Sequence, residues 1–337
     1  APLQRRLDAK GQPAAPFRPL VPFDQPMALS SGQLDALRSG DAEAAFGATF
    51  KGREIAPGLR LPDDRMRLIH RVTELDPTGG RYGLGRVVAE CDVEPDAWYL
   101  TCHFVDDQVM PGTLMYEGCL HSLRVLLLRM GWIGTADGRD DELHTAPILD
   151  IPSALVCRGQ VLADTGSFAY ELDLKEIGYD PEAYCLADAV MRVGDHKIVA
   201  FDNVSLRIPG LTEAAAKKGV GTMEAPLGLP PARPELTSVS GKPVYYGPQQ
   251  IEAYCVGRPS EGFGDRYLPF DEQRRIARLP GQPFCFVDRV TELNDPPWIL
   301  KPSGWIECEY DLPDAPWYVA ANRQQDLPFS VILEAAL

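Results

Sequence analysis

For its length the chain has little positive charge. Lysine and arginine number 33 against 48 aspartates and glutamates in 337 residues, a formal net charge of −15. Such a surface repels phosphate, which argues against a nucleic-acid partner. Long apolar runs are also missing. The longest, residues 114–133, is interrupted by Glu117, His121, Arg124 and Arg129, so no segment reads as a membrane span. The opening residues are polar and proline-rich and do not read as a signal peptide. The eight cysteines form no Cys-x-x-Cys pair and mostly sit among apolar neighbours. They are expected to be reduced, buried thiols of a cytoplasmic protein, not a disulfide framework. Histidine is scarce at five residues. His103 with Asp106 and Asp107 is too sparse a donor set for a metal, so no metal site is expected. Gly83-Leu84-Gly85 lacks the strand–turn–helix setting of a nucleotide loop.

What is present suits a globular chain with a sizeable core: 45% hydrophobic, 24% charged and 9% aromatic residues. Residues 1–28 read as a linker. Residues 29–46 have helical spacing, with Ser30 or Ser31 as N-cap. Residues 67–92 read as two strands around the Thr78-Gly79-Gly80 turn. Residues 112–132 form a helix that is apolar around most of its circumference, which implies burial on nearly all sides. Four strand-like runs follow at 154–162, 167–177, 183–193 and 197–208. In the second, Phe168, Tyr170, Leu172 and Leu174 alternate, and Gly194-Asp195 marks a hairpin between the last two. Antiparallel strands around one buried helix describe an α+β fold. Residues 211–242, rich in proline, alanine and glycine, read as an interdomain linker. This divides the chain into a first domain at 29–210 and a second at 243–337.

The second domain repeats the first. Arg60-Leu61-Pro62 recurs as Arg278-Leu279-Pro280, and residues 70–75 recur as 288–293, both 218 residues later (278 against 60, 288 against 70). Phe46-Gly47 matches Phe263-Gly264, Glu90-Cys91 matches Glu307-Cys308, and Trp98-Tyr99 matches Trp317-Tyr318. A colinear series at nearly one offset indicates duplication. The second copy ends a few residues into its helix.

The richest segment in chemistry is residues 103–117, HFVDDQVMPGTLMYE. It supplies a histidine, a glycine with a free N–H at a helix start, and a carboxylate in the second turn. These are the parts needed to move a proton beside a thioester carbonyl. His103-Phe104-Val105-Asp106-Asp107-Gln108-Val109-Met110-Pro111-Gly112, followed by a helix carrying Glu117, resembles the active-site signature of FabA/FabZ-type 3-hydroxyacyl-acyl-carrier-protein dehydratases. Asp106 departs from the family, which usually has glycine there. The duplication narrows the resemblance to the tandem dehydratase region of polyunsaturated fatty acid synthases and iterative polyketide synthases.

The resemblance implies a hot-dog fold, an antiparallel sheet wrapped around a long central helix, present twice as a pseudo-dimer. It also implies dehydration of 3-hydroxyacyl groups, with Phe104, Met110, Pro111 and Gly112 against the substrate. No dissociable cofactor is implied, because the acyl group rides on the phosphopantetheine of an acyl carrier protein. Partners would be that carrier and other parts of a synthase, with a homodimer left open. Trans-2 to cis-3 isomerisation by the same histidine is also left open.

In the family, paired hot-dog units each give their histidine to a site that takes its acid from the other unit. Alignment of the copies sets Asn322 opposite His103, Phe329 opposite Gly112 and Glu334 opposite Glu117. One composite site would then hold His103, Gly112 and Glu334, and the other Asn322, Phe329 and Glu117. Glu117 is expected to face the degenerate site, as a relic or a working acid. His70 and His121 read as structural, and Met115, Leu120, Leu123 and Leu127 as core or acyl-tunnel lining. Two other readings compete: a hot-dog thioesterase, against which His103 argues, and a non-catalytic pseudo-dehydratase that docks carrier protein.

Overall fold

The computed structural model describes residues 17, 19–135, 140–179, 181–218, 238–294, 302–324 and 326–337. Most of the expected N-terminal linker, and 219–237 of the expected interdomain linker, lie outside these. The parts of both that are described are not bare linker. Val21 and Phe23 are buried, and β1 (Met27–Leu29) joins the main sheet. Leu211 is buried and is followed by the short helix α5 (Glu213–Lys218).

Helix α1 (Ser31–Ser39) starts where Ser30 and Gln33 form a reciprocal capping box and ends at Gly40 with φ 94°. The expected single helix is therefore two, α1 and α2 (Ala42–Phe46). Strands β2 (Arg71–Asp76) and β3 (Arg86–Asp92) are shorter than expected. Gly83 and Gly85 both have positive φ, which takes residues 81–85 into the turn. Helix α3 is Trp98–Cys102 and helix α4 is Gly112–Arg129.

Strand β4 (Ala154–Cys157) stops five residues before the run read from sequence, and all four of its residues are exposed. Strands β5 (Ser167–Tyr179), β6 (Ala183–Val193) and β7 (His196–Ile208) are long and antiparallel. The seven strands run in the order β1-β2-β3-β5-β6-β7-β4. Phe168, Tyr170, Leu172 and Leu174 are all at most 2% exposed. Helix α4 packs on β3, β5 and β7, and every residue from Thr113 to Arg129 is buried. An antiparallel sheet wrapped around one buried helix is the hot-dog arrangement.

The two buried arginines of α4 each find acceptors. Arg129 lies 4.2 Å from the centre of the Phe23 ring and donates to the Pro22 carbonyl at 2.9 Å. Arg124 donates to the Arg60 carbonyl and the Thr145 hydroxyl, both at 2.9 Å. Six of the eight cysteines are buried and all are free thiols, with Cys157 and Cys308 exposed.

The second copy repeats these elements. Helix α6 (Pro248–Cys255) has a Gln250 side chain returning to the Gly247 N–H, as Gln33 returns to Ser30. Helix α7 (Pro259–Phe263) ends at Gly264 with φ 85°, and α2 ends at Gly47 with φ 88°. A further turn, α8 (Pro269–Glu272), precedes the hairpin of β8 (Arg289–Leu293) and β9 (Ile306–Glu309). Its bulge between Val290 and Glu292 repeats that between Val72 and Glu74.

The hairpin corrects one match. Arg71 pairs with Glu90 and Asp92, and Arg289 with Glu309 and Asp311. Glu90 therefore corresponds to Glu309, and Glu307 sits at the place of Val88. The repeated Glu-Cys dipeptide misled because ion pairing, not the dipeptide, fixes the register.

Helices α9 (Trp317–Asn322) and α10 (Phe329–Ala336) take the places of α3 and α4. Helix α10 packs on α4, and Phe284, Phe286, Tyr318 and Val331 join the core of the first copy.

Tight packing of helix on sheet is concentrated at Gly118, where a Cβ would sit 2.2 Å from the Tyr170 hydroxyl. Gly118→Ala is expected to lower stability by about 1–3 kcal/mol, the range for overpacking a core. Urea denaturation would measure it, and an unchanged midpoint would contradict this packing.

Candidate active site

His103 closes the C-terminus of α3, its N–H donating to the Tyr99 carbonyl at 3.1 Å. The following loop is tied by Val109 N–H to His103 carbonyl (2.8 Å) and by two bonds between Phe104 and Asp107. The His103–Phe104 peptide is cis. His103 Nδ1 lies 2.9 Å from the Val109 carbonyl oxygen. A carbonyl only accepts, so Nδ1 carries the proton and Nε2 keeps its lone pair. Burial lowers the His103 pKa below 6.5, partly opposed by the Val109 carbonyl. The ring is therefore a neutral base near pH 7.

Nε2 of His103 lies 3.8 Å from Oε1 of Glu334 on α10. The two side chains are 11% and 10% exposed. The other carboxyl oxygen of Glu334 accepts from the Thr113 hydroxyl at 2.5 Å. Burial raises the Glu334 pKa above 4.5, partly opposed by that hydroxyl. Burial thus favours the neutral form of both groups, a base facing an acid.

Gly112 opens α4 after the buried Pro111, and no side chain caps this end. Its N–H lies in the first turn, outside the helical ladder and at the positive end of the dipole. A Cβ at Gly112 would meet nothing within 4 Å. Met110 is buried and its N–H donates to the Val161 carbonyl. Phe104 stacks on His103 with ring centres 3.9 Å apart, and Phe284 meets His103 edge-on at 6.3 Å.

The second copy holds the histidine loop from outside. Arg278 Nε lies 3.3 Å from the Asp106 carboxylate, and Arg275 donates to the Asp106 carbonyl. Gly281 N–H donates to the Cys102 carbonyl at 2.8 Å. The unusual Asp106 is thus a docking point between the copies.

Glu117 belongs to a different environment. Its Oε1 accepts from His121 Nε2 at 3.1 Å. Burial pushes its pKa up, but His121, Arg124 and Ser330 outweigh it and pull it below the usual carboxylate value. Burial lowers His121, which stays neutral, and brings Arg124 down to about 10, still charged at neutral pH. Asn322, in the place of His103, is 1% exposed and contacts Gln324 at 3.4 Å. Phe329, in the place of Gly112, packs 5.9 Å from the Tyr116 ring. His70 accepts from the Asp92 N–H at 3.1 Å, a structural contact.

The structure brings together His103, Gly112 and Glu334, with Phe104, Met110 and Pro111 around them. It sets Glu117 apart with Asn322 and Phe329. Sequence reasoning missed Thr113 and Arg278. Thr113 had a signal, since Ser330 is its hydroxyl-bearing counterpart at the same offset as Glu117 and Glu334. Among the described residues no three His, Cys, Asp or Glu side chains converge as metal ligands would, and no helix is long and apolar enough to cross a membrane.

Residues 61–202 match the FabA-like domain family. The whole chain aligns, at 28% identity over 443 positions, with a polyunsaturated fatty acid synthase polypeptide of Thraustochytrium sp.. The chain spans 29% of that relative's length. Among solved structures, AziG of S. sahachiroi aligns with 40% of this chain and 87% of its own, at 12% identity and a TM-score of 0.27. A probable thioesterase from Bartonella henselae aligns with 38% and 91%, at 9% identity and a TM-score of 0.27. The family match and an antiparallel sheet around one buried helix agree on residues 61–202 as a FabA-like domain.

Proposed function

We propose that this region dehydrates 3-hydroxyacyl groups to trans-2-enoyl groups as part of a fatty acid synthase, the acyl chain being held as a thioester on acyl-carrier-protein phosphopantetheine. The observation that carries the reading is the 3.8 Å approach of His103 Nε2 to Glu334. Nε2 takes the proton from C2 of the thioester. The C3–O bond breaks, the hydroxyl takes the Glu334 proton and leaves as water, and the C2=C3 double bond forms. The Gly112 N–H and the start of α4 stabilise the enolate-like oxygen; one such donor contributes roughly 3 kcal/mol. The step ends with imidazolium beside carboxylate, and a proton passing between them restores the site. Thr113 positions the acid, and no dissociable cofactor takes part. The acyl carrier protein and neighbouring synthase domains are the proposed partners, in the cytoplasm.

His103→Ala and Glu334→Gln are each expected to lower turnover of a crotonyl or 3-hydroxybutyryl thioester by about 10²–10⁴-fold. Glu117→Gln is expected to keep most activity. The reverse ranking of the two glutamate variants would sink the assignment.

The pH profile gives a second test. His103 must be neutral to act, and burial holds its pKa below 6.5, so the acidic limb of kcat/KM should lie below pH 6.5. Glu334 must be protonated, so activity falls as pH rises through its raised pKa. The Thr113 hydroxyl favours the ionised form of Glu334, so Thr113→Val should move that alkaline limb upward. An acidic limb at or above 6.5, or a Thr113→Val profile superimposable on the parent, would count against these roles.

A further inference from the structure

The counterpart of the active site is degenerate in chemistry but not filled in. A cavity of about 320 Å³ lies there, within the size range of ligand pockets. Its wall includes Glu117, Asn322, Leu206, Leu327, Phe329 and Ile332. We propose that this cavity is a second binding site that holds a hydroxyl-bearing acyl chain without turning it over. The choice of acyl class rests on the function proposed above; the existence of the site does not.

One acceptor on the wall, Asn322 Oδ1, on a side chain 1% exposed, has no hydrogen-bond partner, whereas Glu117 has the Ser330 hydroxyl close by. Buried polar atoms are normally satisfied, and Asn322 Oδ1 calls for a donor, an O–H or N–H. The charges nearby are already paired. Glu117 faces Arg124, and Arg207 meets Glu182 at 2.7 Å. A charged ligand would leave its own charge uncompensated. The rest of the wall is mainly aliphatic or aromatic. An uncharged, largely apolar molecule with a donor meets these terms, and a 3-hydroxyacyl chain has that composition.

Turnover is not available there. The amide of Asn322 cannot take a C2 proton, and Phe329 puts a ring where the opposite site has a glycine. Glu117 is held ionised, so it has no proton for a leaving hydroxyl.

The test uses the full chain carrying His103→Ala, so that substrate persists, titrated calorimetrically with 3-hydroxyoctanoyl-pantetheine. Two equivalents per chain are expected. Ile332→Trp, at a half-exposed position on the cavity wall, should leave one equivalent, and Ala146→Trp, elsewhere on the wall, should do the same. In the chain with His103 intact, Ile332→Trp should keep dehydratase kcat/KM within about twofold. Octanoyl-pantetheine, which lacks the hydroxyl, should bind the cavity at least about tenfold more weakly. A single equivalent in the parent, or two equivalents that both tryptophans leave intact, would overturn the proposal. Release of free pantetheine thiol dependent on Glu117 would also overturn it, by making the cavity a hydrolytic site. If the intact chain fails to dehydrate this thioester while the tryptophan-sensitive equivalent persists, the dehydratase reading falls and the cavity site stands.

Discussion

The contact between α4 and α10 is the constraint on which the site depends. Each helix carries a hydroxyl in its first turn and a carboxylate about one turn later, and the two pack so that one helix's hydroxyl meets the other's acid. Thr113 donates to Glu334 across 221 residues of sequence, and Ser330 lies close enough to Glu117 to help stabilise its charge. His103 meets the carboxylate of the other copy, Glu334, while Glu117 on its own copy pairs with His121 instead.

Two glutamates at equivalent positions end in opposite electrostatic states. Both are buried, and burial raises both. Glu334 has only a hydroxyl to oppose that, so it is biased toward the acid form. Glu117 has His121, Arg124 and Ser330, so it is biased toward the anion. A general acid needs the first setting, and a buried structural charge needs the second. The divergence of the two sites is therefore carried less by the acids than by what surrounds them.

Much of this was legible before the structure. The helix from Gly112 and the strands β5 to β7 follow from unbroken periodicity and a clear hairpin turn. The duplication showed which acid would oppose His103. What was not legible depended on partners far apart in sequence. Strand β4 is short although its residues have strand character, because only four of them pair with β7. The register of β9 could not be read from a repeated Glu-Cys dipeptide, since arginine pairing with Glu309 and Asp311 decides it. Asp106 stood out only as a departure from the family's glycine, while its partner Arg278 lies in the other copy. Residues 19–28 read as linker from composition alone, yet Val21 and Phe23 are buried in the core.

The central claim is that His103 and Glu334, one from each copy, act as a unit. A double-mutant cycle on kcat/KM tests it most directly, comparing His103→Ala and Glu334→Gln singly and together. The account predicts strong non-additivity, the double variant being about as slow as the slower single one. The matching cycle with Glu117→Gln should be additive. Losses that multiply for His103 with Glu334, or coupling that appears with Glu117 instead, would contradict the account.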